Sequence, residues 1–142
     1  MMQTQGKKQW LDEKKKIRYQ LLDEEAQKEA QKWTYKKDNG ETVGKLSTSQ
    51  LRKYYGEVKH LERQMIVLED GWETIFPLVK MLKAKVAYDS GRKDSKIPHE
   101  FKQFIEDCVN SISKDGEENF KAFLKHFEAV VGYYYGIAKV PS

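Results

Sequence analysis

Phe120, Phe123, Leu124, Phe127, Val130, Val131, Tyr134 and Ile137 recur at intervals of three and four residues, and nothing else in the chain restricts its fold so tightly. That interval is the period of an α-helix, so one face of the segment is apolar over about five turns and has to be covered. Upstream, after Pro98, the residues Phe101, Phe104, Ile105, Cys108, Val109 and Ile112 repeat the pattern. Helices with such stripes are stable only when packed against others.

The rest of the chain supplies the partners. A first helix is predicted over 8–33, with Trp10, Ile17, Leu21, Ala26, Ala30 and Trp33 as a thin stripe among charges. Residues 34–46, TYKKDNGETVGKL, read as a loop with the composition of a mobile segment, and residues 1–7 read as mobile too. Ser47 opens a second helix, because Gln50 three residues on completes a capping box. Its stripe is Leu51, Tyr54, Tyr55, Val58, Leu61 and Met65, and it stops near Asp70 and Gly71. A third helix is expected over 77–90, with Pro77 at its first position and Gly91 as its stop. The fold class is therefore all-α, a bundle of about five helices in one domain covering residues 1–142.

Hydrophobic residues are 39% and charged residues 34% of the chain, which suits amphipathic helices with charged outer faces. No apolar run approaches the roughly 18 residues of a membrane span, and the N-terminus lacks a signal-peptide pattern. A soluble, cytoplasmic protein is expected, without a membrane partner. Cys108 is the single cysteine, which excludes an internal disulfide; its place on an apolar face predicts a buried, inert thiol.

Catalysis leaves convergent polar residues, and the sequence shows few. His60, His99 and His126 are far apart, and none has a second His or Cys at metal-ligand spacing. His126 reads as a solvated residue on the polar side of the last helix. Phosphate-cradling glycine loops are absent, and Glu106-Asp107 and Glu117-Glu118 are neighbours in sequence rather than one turn apart. Neither enzymatic activity, a metal nor a cofactor is expected.

Charge is more informative. Residues 1–45 carry a net +3, residues 46–93 a net +3 and residues 94–142 a net −2. On the second helix Arg52, Gly56, Lys59 and Arg63 share one strip about 16 Å long, a span over which several phosphates of a strand can be met. Gly56 would let a polyanion approach the backbone; equally, it would let a neighbouring helix pack closely, with the charges a solvated face. Lys80, Lys83, Lys85, Arg92 and Lys93 gather around the second half of the third helix, where the dipole alone favours cations. The stem of Lys85 fits between Met81 and Tyr88. Of the tandem tyrosines 54–55 and 133–135, one in each set falls on a core stripe, favouring core or subunit contacts over base stacking.

Three stretches, KLSTSQLRKYYGEVK (45–59), KMLKAKVAYDSGR (80–92) and FKAFLKHFEAVVGYY (120–134), together resemble the small subunit of the type III-A CRISPR effector, the Csm complex. The resemblance covers roughly residues 45–135 and assigns no role to residues 1–44. It implies a noncatalytic helical protein, stacked in several copies beside the backbone and large Csm subunits, that lines the duplex of CRISPR RNA and target RNA. By motif it implies RNA contacts for Arg52, Lys53, Lys80, Lys83, Lys85 and Arg92; Lys59 and Arg63 join them on helical geometry. The acidic C-terminal third would then face other subunits. Two further readings stay open: a helical adaptor that binds only protein, and a helix-turn-helix DNA regulator, disfavoured by long second and third helices and by a connection over 69–77 too long for a tight turn.

Overall fold

The computed structural model describes residues 7–94 and 97–142. Among them are five α-helices, α1 (Glu24–Lys32), α2 (Thr48–Val67), α3 (Gly71–Gly91), α4 (His99–Asn110) and α5 (Glu117–Ile137), and a two-stranded antiparallel ribbon of β1 (Thr34–Lys36) and β2 (Thr42–Gly44). The all-α class holds, with the ribbon as a small addition.

The helix α2 starts as its residues dictate. Ser47 Oγ accepts the Gln50 N–H at 3.1 Å and Gln50 Oε1 accepts the Ser47 N–H at 3.0 Å, so the capping box is complete. The apolar stripes of α2 to α5 meet in one cluster with Trp33 near its middle, its ring edge-on to Phe101, Phe104 and Tyr134 with centroids 5.2, 5.2 and 5.4 Å away. The Tyr134 hydroxyl donates to Leu46 O at 2.6 Å and accepts from Leu46 N at 3.0 Å. That double bond fixes the entry to α2 against the end of α5.

The first third departs from a continuous helix over 8–33. A loop bridged antiparallel at Leu11 and Ile17 leads to a 3-10 turn (Tyr19–Leu22), and α1 begins only at Glu24. Asp12 is the local cause: its Oδ1 accepts the backbone N–H groups of Lys14 (2.8 Å) and Lys16 (3.0 Å), which a helix would need elsewhere. Burial of Trp10 against Phe123 completes the diversion.

Residues 34–46 form the ribbon rather than an unstructured loop. Its turn uses Asn39, whose Oδ1 accepts the Glu41 N–H at 2.9 Å, and Gly40 at φ +88°. Strands of three residues are too short for alternation to show in sequence. The ribbon is held by the C-terminal chain: Lys139 O accepts from Gly44 N at 2.9 Å and Lys139 N donates to Thr42 O at 3.0 Å.

The helix α3 begins six residues earlier than expected, so Pro77 lies inside it. Trp72 of the added turns packs at a tilt against both Phe76 and Phe120, ring centroids 5.5 Å away in each case, which offsets the missing proline N–H. The connection from α2 is therefore tight, only residues 68–70. It admits no side chain at Gly71, where a Cβ would stand 1.8 Å from Met65 O. The two helices run antiparallel as a long hairpin, since Tyr54 near the start of α2 bonds Asp89 near the end of α3. Of the expectations for residues 1–7 and for the loop over 91–100, the parts at residues 1–6 and 95–96 lie outside the described residues.

Candidate nucleic-acid interface

The outward strip of α2 is real. Arg52 and Arg63 are exposed, and neither makes an ion pair or hydrogen bond among the described residues. Between them a Cβ built on Gly56 would meet nothing within 4 Å, so among the described residues no helix packs there. The close-packing explanation for Gly56 therefore fails within the chain. Lys59 stands at the α5-facing margin of the strip and binds Glu62 at 2.7 Å. That hydrogen bond raises its pKa, against a smaller opposing effect of burial.

A groove separates α2 from α3. Lys53 and Glu57 on one side and Met81, Ala84, Lys85, Tyr88 and Asp89 on the other surround a depression of about 400 Å³. Lys53 Nζ lies 2.6 Å from Asp89 Oδ2, and Lys85 Nζ lies 2.9 Å from Glu57 Oε2. Burial pushes the Asp89 carboxyl pKa up, but hydrogen bonds from Lys53 and Tyr54 and the nearby Lys53 and Arg92 charges outweigh it and hold the pKa below the ordinary value. A smaller depression of about 210 Å³ continues past Lys53 and Asp89 to Gln50 and Arg92. The Arg92 guanidinium sits 5.8 Å from the Tyr88 ring centre. Lys85, Met81 and Tyr88 do line one surface, as the spacing predicts.

Lys80 and Lys83 lie elsewhere. Lys80 Nζ donates to Val109 O at 2.9 Å and Lys83 Nζ to Asn110 Oδ1 at 2.6 Å, so both cover the C-terminal end of α4. Burial lowers the Lys80 pKa, and the charges of Lys83 and Lys7 lower it further. Lys7 thus joins this second cluster, a neighbour that no sequence signal announced. Lys83 precedes Lys85 by two residues, about 200° around a helix, which puts them on opposite flanks of α3. The eight cations hence divide: Lys53, Lys85 and Arg92 share the groove, Arg52 and Arg63 hold the adjacent strip with Lys59 at its margin, and Lys80 and Lys83 face α4.

His126 overturns its expected place on a polar side. It is fully buried, its Nδ1 lies 2.6 Å from Leu21 O, and Trp10 and Phe104 flank the ring. The segment before α1 covers a flank of α5 that would otherwise be wet. Burial pulls the His126 pKa down to about 4, the bond to Leu21 opposing it. Cys108 is fully buried and its thiol pKa is pushed far up by that burial. Tyr54 and Tyr134 are core residues. Among the described residues no cluster of three or more His, Cys, Asp and Glu could hold a metal ion, and no helix is long and apolar enough to cross a membrane.

No curated protein and no solved structure matches the chain. The family model Csm2 Type III-A matches residues 16–138, from the loop before α1 to the end of α5, and so takes in α1 and the ribbon as well as the three motif stretches. The chain belongs to the Csm2 Type III-A family and is a small subunit of the type III-A Csm complex.

Proposed function

We propose that this subunit is noncatalytic, holds the duplex of CRISPR RNA and target RNA through its sugar-phosphate backbone, and helps assemble the effector filament with the backbone and large Csm subunits and further copies of itself. The observation that carries the reading is the pair Arg52 and Arg63, uncompensated cations about 16 Å apart on either side of a bare Gly56. An A-form duplex presents regular phosphates and a wide, shallow minor groove, and a subunit serving every guide has to read shape, not bases. Lys53, Lys85 and Arg92 in the adjoining groove extend that face. Several copies acting together need only weak contacts each. Lys80 and Lys83 take part only if RNA also passes the α4 end.

The test is R52E/R63E in the assembled complex. Target-RNA occupancy falls by about tenfold or more, with the subunit's melting unchanged, as expected for lost phosphate contacts. Unaltered occupancy sinks the reading. One observation favours a protein-only adaptor instead: Lys53 and Lys85 are already neutralised by Asp89 and Glu57, above a floor that exposes Met81 and Tyr88. That alternative predicts that M81E/Y88E disrupts co-purification with the other subunits while R52E/R63E leaves RNA binding untouched.

A further inference from the structure

The loop before α1 displays three successive lysines on a turn built to hold them. Asp12 N donates to Lys16 O at 2.7 Å, Lys15 N donates to Asp12 O at 2.9 Å, and Asp12 Oδ1 accepts from Lys14 N and Lys16 N. The turn forces Lys15 to φ +61°, a left-handed conformation that glycine or asparagine adopts more cheaply. Shaping the turn does not itself require a lysine there.

The turn lies against the outer flank of α5. Leu11, Lys15, Lys16 and Ile17 together with Glu118, Lys121, Ala122 and Lys125 line a depression of about 250 Å³. Glu118 and Glu117 are taken up by Lys121, at 3.1 and 3.6 Å. Lys14, Lys15, Lys16 and Lys125 are exposed and make no side-chain ion pair or hydrogen bond among the described residues. Asp12 and Glu13 are the exposed acids of the turn, so with Glu117 and Glu118 four acids face the five lysines Lys14, Lys15, Lys16, Lys121 and Lys125. The patch therefore carries a net positive charge, whereas Lys53 and Lys85 in the groove are paired.

We infer that Lys14, Lys15, Lys16 and Lys125 form a second phosphate-binding surface for RNA, apart from the α2 strip. The inference rests on the reading of this chain as an RNA-binding subunit. RNA is favoured over an acidic protein because the apolar lining, Leu11 and Ile17, is half-buried against the core, and the exposed groups at the depression are lysines and acids, not the large apolar anchors that protein interfaces use. Lysines serve as point charges for phosphates along a strand of any sequence. The family match begins at residue 16, so Lys14 and Lys15 precede it, while Lys16 and Lys125 fall within it.

The experiment measures binding of a labelled oligouridylate to the full-length chain over a series of salt concentrations. K14A/K15G/K125A lowers the slope of log affinity against log salt by about 2, three phosphate contacts at roughly 0.7 each. Lys15→Gly alone leaves the melting midpoint equal or higher, since it relieves the left-handed residue, yet weakens binding; a purely structural Lys15 would not move affinity. Asp12→Ala weakens binding, and Asp12→Asn, which keeps the acceptor, restores it. An unchanged slope in the triple variant, with R52E/R63E still impaired, overturns this surface and spares the α2 reading. Loss in the triple variant with R52E/R63E unimpaired keeps this surface and removes the other. Lysine-dependent binding of polyglutamate with RNA affinity unchanged assigns the patch to acidic protein and also overturns the inference.

Discussion

Tyr54 donates its phenolic proton to Asp89 across the α2–α3 interface, Oη to Oδ2 2.5 Å, and both residues are buried. Burial raises the Tyr54 pKa, and the hydrogen bond and negative charge of Asp89 raise it further, so the phenol stays a donor. Asp89→Ala leaves the phenol only the longer bond to Lys85 O at 3.3 Å and costs about 2 kcal/mol in urea unfolding. Lys53, whose side chain is 58% exposed, contributes little of that. Because the folded carboxyl titrates below its ordinary value, its stabilisation is present above roughly pH 4 and is lost as pH falls through the lower folded value. The acid limb of the stability curve is correspondingly smaller in Asp89→Ala.

His126 sets a different pH window. Its folded pKa of about 4 lies below the ordinary 6.5, so the unfolded chain binds the proton more readily between these values. Stability is flat above about pH 6.5 and declines by up to roughly 3 kcal/mol on descent to pH 4. Unfolding midpoints at neutral pH and at pH 5 check this. His126→Leu loses the bond to Leu21 and is weaker at neutral pH, but its midpoint changes less between the two.

Phe127 is fully buried and rings of Tyr55, Phe104 and Phe123 surround it with centroids 5.3, 5.3 and 5.8 Å away. Phe127→Ala removes that packing and costs about 3 to 5 kcal/mol. A melting curve equal to wild type would contradict the place of α5 in the core.

Two glycines respond in opposite directions. A Cβ at Gly44 would lie 2.1 Å from Tyr134 Oη and push the tyrosine off Leu46, so Gly44→Ala destabilises by about 1 to 3 kcal/mol. Gly56→Ala meets no neighbour inside a helix and stabilises by about 0.5 to 1 kcal/mol. Thermal melts of the two variants bracket wild type.

Periodicity and capping were legible without coordinates. The stripes of α2, α4 and α5 are properties of one helix each, set by side chains three and four residues apart, and Ser47 and Gln50 act within a single turn. The family, too, was legible, since motif order lies along the chain. Only the tertiary structure decided the rest. Trp10 and the Asp12 turn broke an expected helix because burial and a local carboxylate outweigh a thin stripe, and packing of Trp72 and Phe76 carried α3 back past Pro77. His126 went inside because a distant segment covers its flank. The cations parted because rotation about the helix axis, not nearness in sequence, sets which surface a side chain reaches; Lys83 and Lys85, two residues apart, end on opposite flanks, and Lys53 and Lys85 met acids from the facing helix that no spacing could reveal.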